Sequence, residues 1–359
     1  MWPYWILFLI PAFFAVFADR KAVEGGQIRN SFNSPLVFGI TLFALSAMIG
    51  MRYEVGGDWE NYYFYIDGVK GLDFKDIFFR DDPAFQLLNW LSDRFAWSVY
   101  GVNLFGGTIF SVGLLVFCRS MKRPWLALTV SVPYLVIAVG MGYSRQAVAL
   151  GLSMIGLVAL SKRSIPWFVF WVVLGATFHK SAIILVPLGA IVGARNKVLT
   201  LLAISVATFA AYWILLSNSV DSLYENYVTA EYQSQGAMVR LLMNAVPAAI
   251  FLRWRDKFDL SDVEQRIWTT FSLVSIALLG LLLVSPATTA VDRVALYMLP
   301  LQILVFSKIP DIAPDKNNVT NGIVFSVLSY YAAVQFVWFN FGDFSFAWLP
   351  YRSILLGFS

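Results

Sequence analysis

Long apolar stretches broken by short charged ones set the pattern of this chain. A helix needs about 20 apolar residues to cross the hydrocarbon core of a bilayer. On that spacing, spans are predicted near residues 2–18, 34–51, 98–118, 124–142, 146–161, 164–178, 181–194, 198–216, 239–253, 267–285, 294–309 and 319–340. The pair 164–178 and 181–194 is short enough to merge or to be re-entrant. The predicted fold is all-α, a single polytopic transmembrane domain over 1–359 with about twelve helices. The longest polar interruption, 52–97, holds Asp81-Asp82-Pro83-Ala84-Phe85, an acidic cap followed by Pro at an early helical position. Phe85, Leu88, Leu91 and Phe95 then recur at helical spacing, which predicts an amphipathic helix lying at the membrane interface. A second polar loop covers 217–238 and a third covers 254–266. No internal repeat or low-complexity run interrupts this order.

Composition agrees with the pattern. Of 359 residues, 59% are hydrophobic and 13% charged, where a soluble domain carries roughly 25% charged residues. The chain is therefore expected to be an integral membrane protein. The single cysteine, Cys118, excludes an intramolecular disulfide and a cysteine metal cage. The opening Met1-Trp2-Pro3-Tyr4-Trp5 lacks the basic region of a signal peptide and reads as an aromatic belt at the start of a retained span.

The lysines and arginines orient the chain. Arg20, Lys21, Arg29, Arg119, Lys122, Arg123, Lys162, Arg163, Arg195, Lys197, Arg253, Arg255, Lys257, Arg266, Lys308 and Lys316 fall in alternate connections. The richer side is expected to be cytoplasmic, which puts both termini and the loops 52–97 and 217–238 outside. Loop 217–238 has no Lys or Arg but carries Asp221, Glu225 and Glu231. Six basic residues sit at outer span ends against that trend: Arg52, Arg145, Lys180, Arg240, Arg293 and Arg352. Scattered snorkelling to headgroups is one reading of them. The other is a shared anion site, because the planar arginine fork suits bidentate phosphate binding. Ser144-Arg145-Gln146 and Phe178-His179-Lys180-Ser181 are polar clusters inside otherwise apolar runs, which favours the second.

The stretch Met51 to Tyr63 concentrates chemistry directly after a span: Arg52, Glu54, two glycines, Asp58 and a run of aromatics. Ionisable residues at such a place mark a functional site by default. His179, the single histidine, has a claim to proton transfer near neutral pH. A histidine-rich metal site is thereby excluded. Asp58, Glu54 and Asp292 are the acids that would hold a hard divalent cation, but no spacing demands one.

Arg52-Tyr-Glu-Val-Gly-Gly-Asp58, with Tyr62 after it, resembles the arginine–glycine–aspartate–tyrosine signature of the EpsG family. That family comprises multi-span bacterial proteins of exopolysaccharide synthesis, related to Wzy-type O-antigen and capsule polymerases. Asp82-Pro83-Ala-Phe85 resembles the family's acidic-proline-aromatic helix start, and Ser144-Arg145-Gln146 with Ala149 its arginine–glutamine pair. His179-Lys180-Ser181, Asp292-Arg293-Val-Ala-Leu-Tyr297 and Trp348-Leu-Pro350-Tyr351 resemble later motifs in the same order. The resemblance implies a GT-C-like multi-helix architecture and a repeat-unit polymerase of the bacterial inner membrane. It implies transfer of a growing glycan from undecaprenyl pyrophosphate onto a lipid-linked repeat unit at the periplasmic face. No cofactor, metal, nucleotide sugar or nucleic acid is implied, and a Wzz-type chain-length regulator is the implied protein partner.

Under that resemblance, Arg52, Arg145 and Arg293 would stabilise the departing pyrophosphate, with Lys180 and Arg240 further out. Gln146 and Tyr62 join them as substrate-binding candidates. The base that takes the acceptor's proton is left open between Asp58 and His179. A double-displacement route would need a second carboxylate, Glu54 or Asp292. Tyr62, Tyr63, Trp59 and the aromatic segment 336–351 would stack on sugars or face lipid. Rival readings are an O-antigen ligase with the same chemistry, a flippase or transporter, a membrane acyltransferase and a non-enzymatic scaffold. A transporter would place its charges near the midplane, and here they gather at one end.

Overall fold

Among the described residues seven helices are long and apolar enough to cross a membrane, and four shorter apolar helices of 10–17 residues run among them. The structure, a computed structural model, describes residues 1–24, 31–193, 202, 236–312 and 317–357. The predicted span 198–216 and nearly all of loop 217–238, with Asp221, Glu225 and Glu231, lie outside the described residues. Among the described residues there is no strand, only an isolated antiparallel bridge between Arg52 and Ser353.

The helix limits follow caps and breakers that the sequence displays. Helix α1 (Trp2–Glu24) is followed by α2 (Pro35–Gly50), which starts on a proline in its first turn. Three short helices fill the polar interruption: α3 (Trp59–Asp67), α4 (Phe74–Ile77) and α5 (Pro83–Arg94). Then come α6 (Ser98–Arg119) and α7 (Pro124–Ser131). Pro133 has no N–H to offer the α-helical register, and α7 continues as a π-helix over Val132–Gly140. Next are α8 (Ser144–Ser161), α9 (Ile165–Ala176), a 3-10 turn (Lys180–Leu185) and α10 (Val186–Gly193). The adjacent short spans of the sequence pattern are thus two helices joined by a tight turn at His179. The remainder is α11 (Ala237–Trp254), α12 (Asp262–Val284), α13 (Thr288–Ala295), α14 (Leu299–Ile312) and α15 (Asn317–Phe341). A capping box starts α12, where Ser261 Oγ accepts from Glu264 N and the Glu264 carboxylate accepts from Ser261 N.

Close backbone approach fixes the centre of the bundle. Where α6 crosses α8, a Cβ built on Gly113 would sit 2.0 Å from the Gly151 carbonyl oxygen. Only glycine permits that crossing, the small-residue contact that brings helices together where the hydrophobic effect gives no advantage. Deeper in the bundle a closed polar chain ties four elements. Tyr331 donates to Gln302, Gln302 to Asn244, and Asn244 to the Ala295 carbonyl at the end of α13. At one end of the bundle Arg123 grips Asp311 through Nε and Nη2 at 2.9 and 2.8 Å. There the fully buried Asp19 accepts the Leu126 amide at the start of α7.

Two expectations change here. The apolar stripe of α5 divides: Phe85 is buried in a second core with Trp59, Tyr62, Ile66, Val99 and Val102 from α3 and α6, with Leu88 packed against it, while Phe95 stays exposed. Other exposed aromatics of this segment are Tyr63, Phe64, Phe74, Phe78, Phe79 and Trp97. Asp82 does not cap α5. It adopts a left-handed conformation (φ 55°) and makes no capping bond, which turns its carboxylate away from its own helix.

Candidate functional site

Five elements meet at the end of the bundle opposite Arg123. They are the 51–58 loop, the first turn of α8, the α9–α10 turn, the start of α11, and α13. The loop is organised from inside by Arg52. This arginine is 0% exposed and donates four hydrogen bonds within the protein. Nε donates to the Val55 carbonyl at 2.9 Å, Nη1 to Ile49, and Nη2 to both Asn103 and Ser144 at 3.0 Å. A buried cation costs several kcal/mol unless hydrogen bonds replace its water, and here four oxygens and the Trp59 ring face at 5.6 Å do so. The sequence reading made Arg52 a pyrophosphate ligand. Four of its five N–H donors are taken by the protein, and the structure gives it the work of shaping the loop.

The C-terminal segment locks the loop from outside. Tyr53 N donates to the Arg352 carbonyl, Gly56 N to Ala347, and Ile354 N to Met51. Trp348 is buried beneath, its indole donating 2.8 Å to Ile137 within the π-helix. Gly56 (φ +107°) is required by both conformation and space, since an added Cβ would lie 2.3 Å from the Met141 carbonyl oxygen. Gly56→Ala is expected to destabilise the protein by roughly 1–3 kcal/mol, through left-handed strain and overpacking against backbone. A lowered unfolding temperature in detergent checks this, and an unchanged midpoint would show that the loop yields.

Tyr62 and Gln146 are positioned similarly. The buried Tyr62 hydroxyl accepts the Ser144 amide at 2.9 Å, capping the start of α8. Gln146 is also buried and donates 2.7 Å to the Arg293 carbonyl, joining α8 to α13. Both were substrate-binding candidates in the sequence; in the structure they hold the residues beside them. Trp59 is buried as well, so it offers no open face to a sugar, whereas Tyr63 stays exposed.

The cations fall into two groups. Arg145 leaves the first turn of α8 to donate 3.0 Å to the Asp82 carboxylate and 2.7 Å to the Tyr65 hydroxyl. It also stacks over the Tyr65 ring at 4.7 Å. The other Asp82 oxygen accepts the Lys180 amide at 3.0 Å, so this carboxylate joins α5, α8 and the α9–α10 turn. Arg240 holds Asp292 bidentately at 2.9 and 2.7 Å. Lys180 Nζ stands 3.6 Å from the exposed Asp81. Arg293 differs: its guanidinium stacks over Tyr143 at 5.1 Å and makes no ion pair with a described residue.

Among the acids, Asp58 is the counterpart of Arg293. It precedes α3, makes no capping bond and pairs with no described cation. Burial pushes its carboxyl above the ordinary range, while the positive charges of Arg293 and Arg145 pull it part of the way back. Glu54, proposed as a second carboxylate, faces outward in a 2.7 Å pair with Arg352. Asp292 is held by Arg240. His179 caps the 3-10 turn, Nδ1 accepting from Ser181 N at 3.3 Å and from Ser181 Oγ at 2.5 Å. Burial, then Arg145, Arg293 and Lys180, push its imidazole down to about 3. Among the described residues no three His, Cys, Asp or Glu side chains converge as a metal site.

Among the described residues the site therefore presents a carboxylate and a guanidinium without ion pairs, with paired arginines and a neutral imidazole around them. Asp58 lies within electrostatic reach of Arg293 and Arg145, so a proton acceptor and anion-binding groups share one polar cluster. Asp82, Tyr65, Tyr143 and Tyr297 were not foreseen as parts of it. The Asp82-Pro83 dipeptide carried the signal for Asp82, but it reads equally as a helix start. A family model described as the EpsG family matches residues 36–353. No curated protein and no solved structure matches the chain.

Proposed function

The chain belongs to the EpsG family, and from that premise we propose that it is a polysaccharide polymerase working on a lipid-diphosphate donor. In this reading the growing glycan leaves undecaprenyl pyrophosphate for the non-reducing end of a lipid-linked repeat unit. The bundle crosses the inner membrane about twelve times, in the GT-C-like manner the resemblance implies, with the site on the periplasmic face. The charge distribution of the connections supports that orientation. One observation carries the reading above the others: among the described residues Asp58 and Arg293 make no ion pair, in a site whose other acids and arginines are matched.

The chemistry follows from that pair. The acceptor hydroxyl oxygen attacks the anomeric carbon as Asp58 takes its proton. The bond from that carbon to the diphosphate oxygen breaks, and its electron pair leaves with undecaprenyl pyrophosphate. Arg293 stabilises the charge that develops on the leaving oxygen, and Arg145, pre-set by Asp82 and Tyr65, adds a second positive charge. With Glu54 and Asp292 both engaged, a single displacement that inverts the anomeric centre is the supported route. The test is a proteoliposome assay with synthetic undecaprenyl-pyrophosphate repeat units. A ladder of longer glycans is expected. Consumption of lipid-linked glycan only when lipid A core is supplied would establish the ligase instead. No reaction with either acceptor would leave the cluster to transport or structure.

A further inference from the structure

His179 is the single histidine of the chain, and its surroundings distinguish its two ring nitrogens. The Ser181 backbone N–H reaches Nδ1 at 3.3 Å, and an amide N–H only donates. Nδ1 is therefore an acceptor. It also takes the Ser181 hydroxyl at 2.5 Å, and Ser181 Oγ lies 2.9 Å from the Tyr297 hydroxyl. Each hydroxyl then donates once, Tyr297 to Ser181 and Ser181 to His179. The proton of the neutral ring is left on Nε2, which bonds to no described residue, on a side chain that is only partly buried.

Charged groups from three elements surround this ring. Arg145 comes from α8, Arg293 from α13, and Lys180 is its neighbour in the chain. Tyr297 faces it across Ser181. The nearby carboxylate, Asp82, is occupied by Arg145 and the Lys180 amide. Three cations oppose a fourth positive charge on the imidazole and attract an anionic oxygen to the same place.

We propose that His179 is a neutral, pre-oriented hydrogen-bond donor, offering Nε2–H to a phosphoryl oxygen of the lipid diphosphate and leaving the acceptor's proton to Asp58. The ligand rests on the polymerase reading; the tautomer rests on geometry alone. A base role would need a ring nitrogen with a free lone pair, and Nδ1, which has the lone pair, is already bonded twice. A donor role needs only the relay from Tyr297 through Ser181 that fixes the ring.

Because the chain has one histidine, isotopically labelled histidine gives a single imidazole signal in protein reconstituted into nanodiscs. The expected result is a directly bonded proton on Nε2 alone, unchanged from about pH 5 to about pH 8, the interval in which an ordinary histidine titrates. Addition of undecaprenyl pyrophosphate to saturation is expected to shift the Nε2 resonance. A proton on Nδ1, titration within that interval, or an Nε2 resonance unmoved by the lipid diphosphate would each overturn the proposal. A shifted Nε2 without any glycan ladder would remove the polymerase reading and leave the diphosphate donor in place. A ladder with an unmoved Nε2 would remove only the donor role.

Discussion

Asp58→Asn is expected to slow glycan ladder formation by about 10²–10⁴-fold, the range that a positioned general base contributes. Folded protein should be recovered at wild-type yield. The substitution is nearly isosteric and removes no capping bond or ion pair, because Asp58 makes none with the described residues. A loss of rate therefore reports on chemistry and not on packing. The pH dependence gives a second reading with a definite sign. The base works unprotonated, and burial holds the Asp58 carboxyl above its ordinary value. The wild-type rate should fall as pH drops through that raised value, and the Asn variant should lack that limb. Initial rates of ladder growth across pH, for both proteins in the same liposomes, decide the matter. An Asn variant within tenfold of wild type, or one keeping the acid limb, would move the base elsewhere. His179 could not take it without first giving up the two bonds at Nδ1.

Apolar length and breakers made the helices legible in the sequence, since each described helix above ten residues outside α5 coincides with a predicted span. Those signals are local. What the sequence concealed was pairing across long separations. Arg145 and Asp82 lie 63 residues apart, Arg240 and Asp292 lie 52 apart, and the Glu54–Arg352 pair spans 298. An arginine at a span end has the same local signature whether it waits for a ligand or is already matched. Arg52 shows the ambiguity in its strongest form, because its partners are carbonyls and neutral side chains that no charge pattern reveals. The clustered motifs of the sequence name most residues of the candidate site. Which of them lack an ion pair became visible only when Asp82 and Asp292 were seen to occupy two of the arginines. The start of the α5 stripe misled for a related reason. An apolar face looks the same whether it meets lipid or, as Phe85 and Leu88 do here, the protein's own α3 and α6.

Arg293→Ala is expected to lower turnover by about 10²–10³-fold, the loss seen when one preorganised group facing a developing negative charge is removed. Charge on the diphosphate oxygen grows as the glycosidic bond breaks, so the deficit should fall on turnover more than on apparent donor affinity. Arg293→Lys should recover part of the rate, since it keeps the charge and loses the planar fork. The contrast with Arg240 isolates the effect. Arg240 holds a largely buried Asp292 through two hydrogen bonds, and its removal leaves a carboxylate without its partner, a cost to the fold. Arg293 makes no ion pair with a described acid, although its charge reaches Asp58, and its guanidinium stacks over the Tyr143 ring. Its removal should therefore leave the melting temperature near that of wild type while the ladder disappears. Rates and melting temperatures measured on all three variants test this directly. An Arg293→Ala protein that unfolds early but, when folded, polymerises normally would make Arg293 a structural residue. The anion site would then have to be built from the arginines that Asp82 and Asp292 already hold.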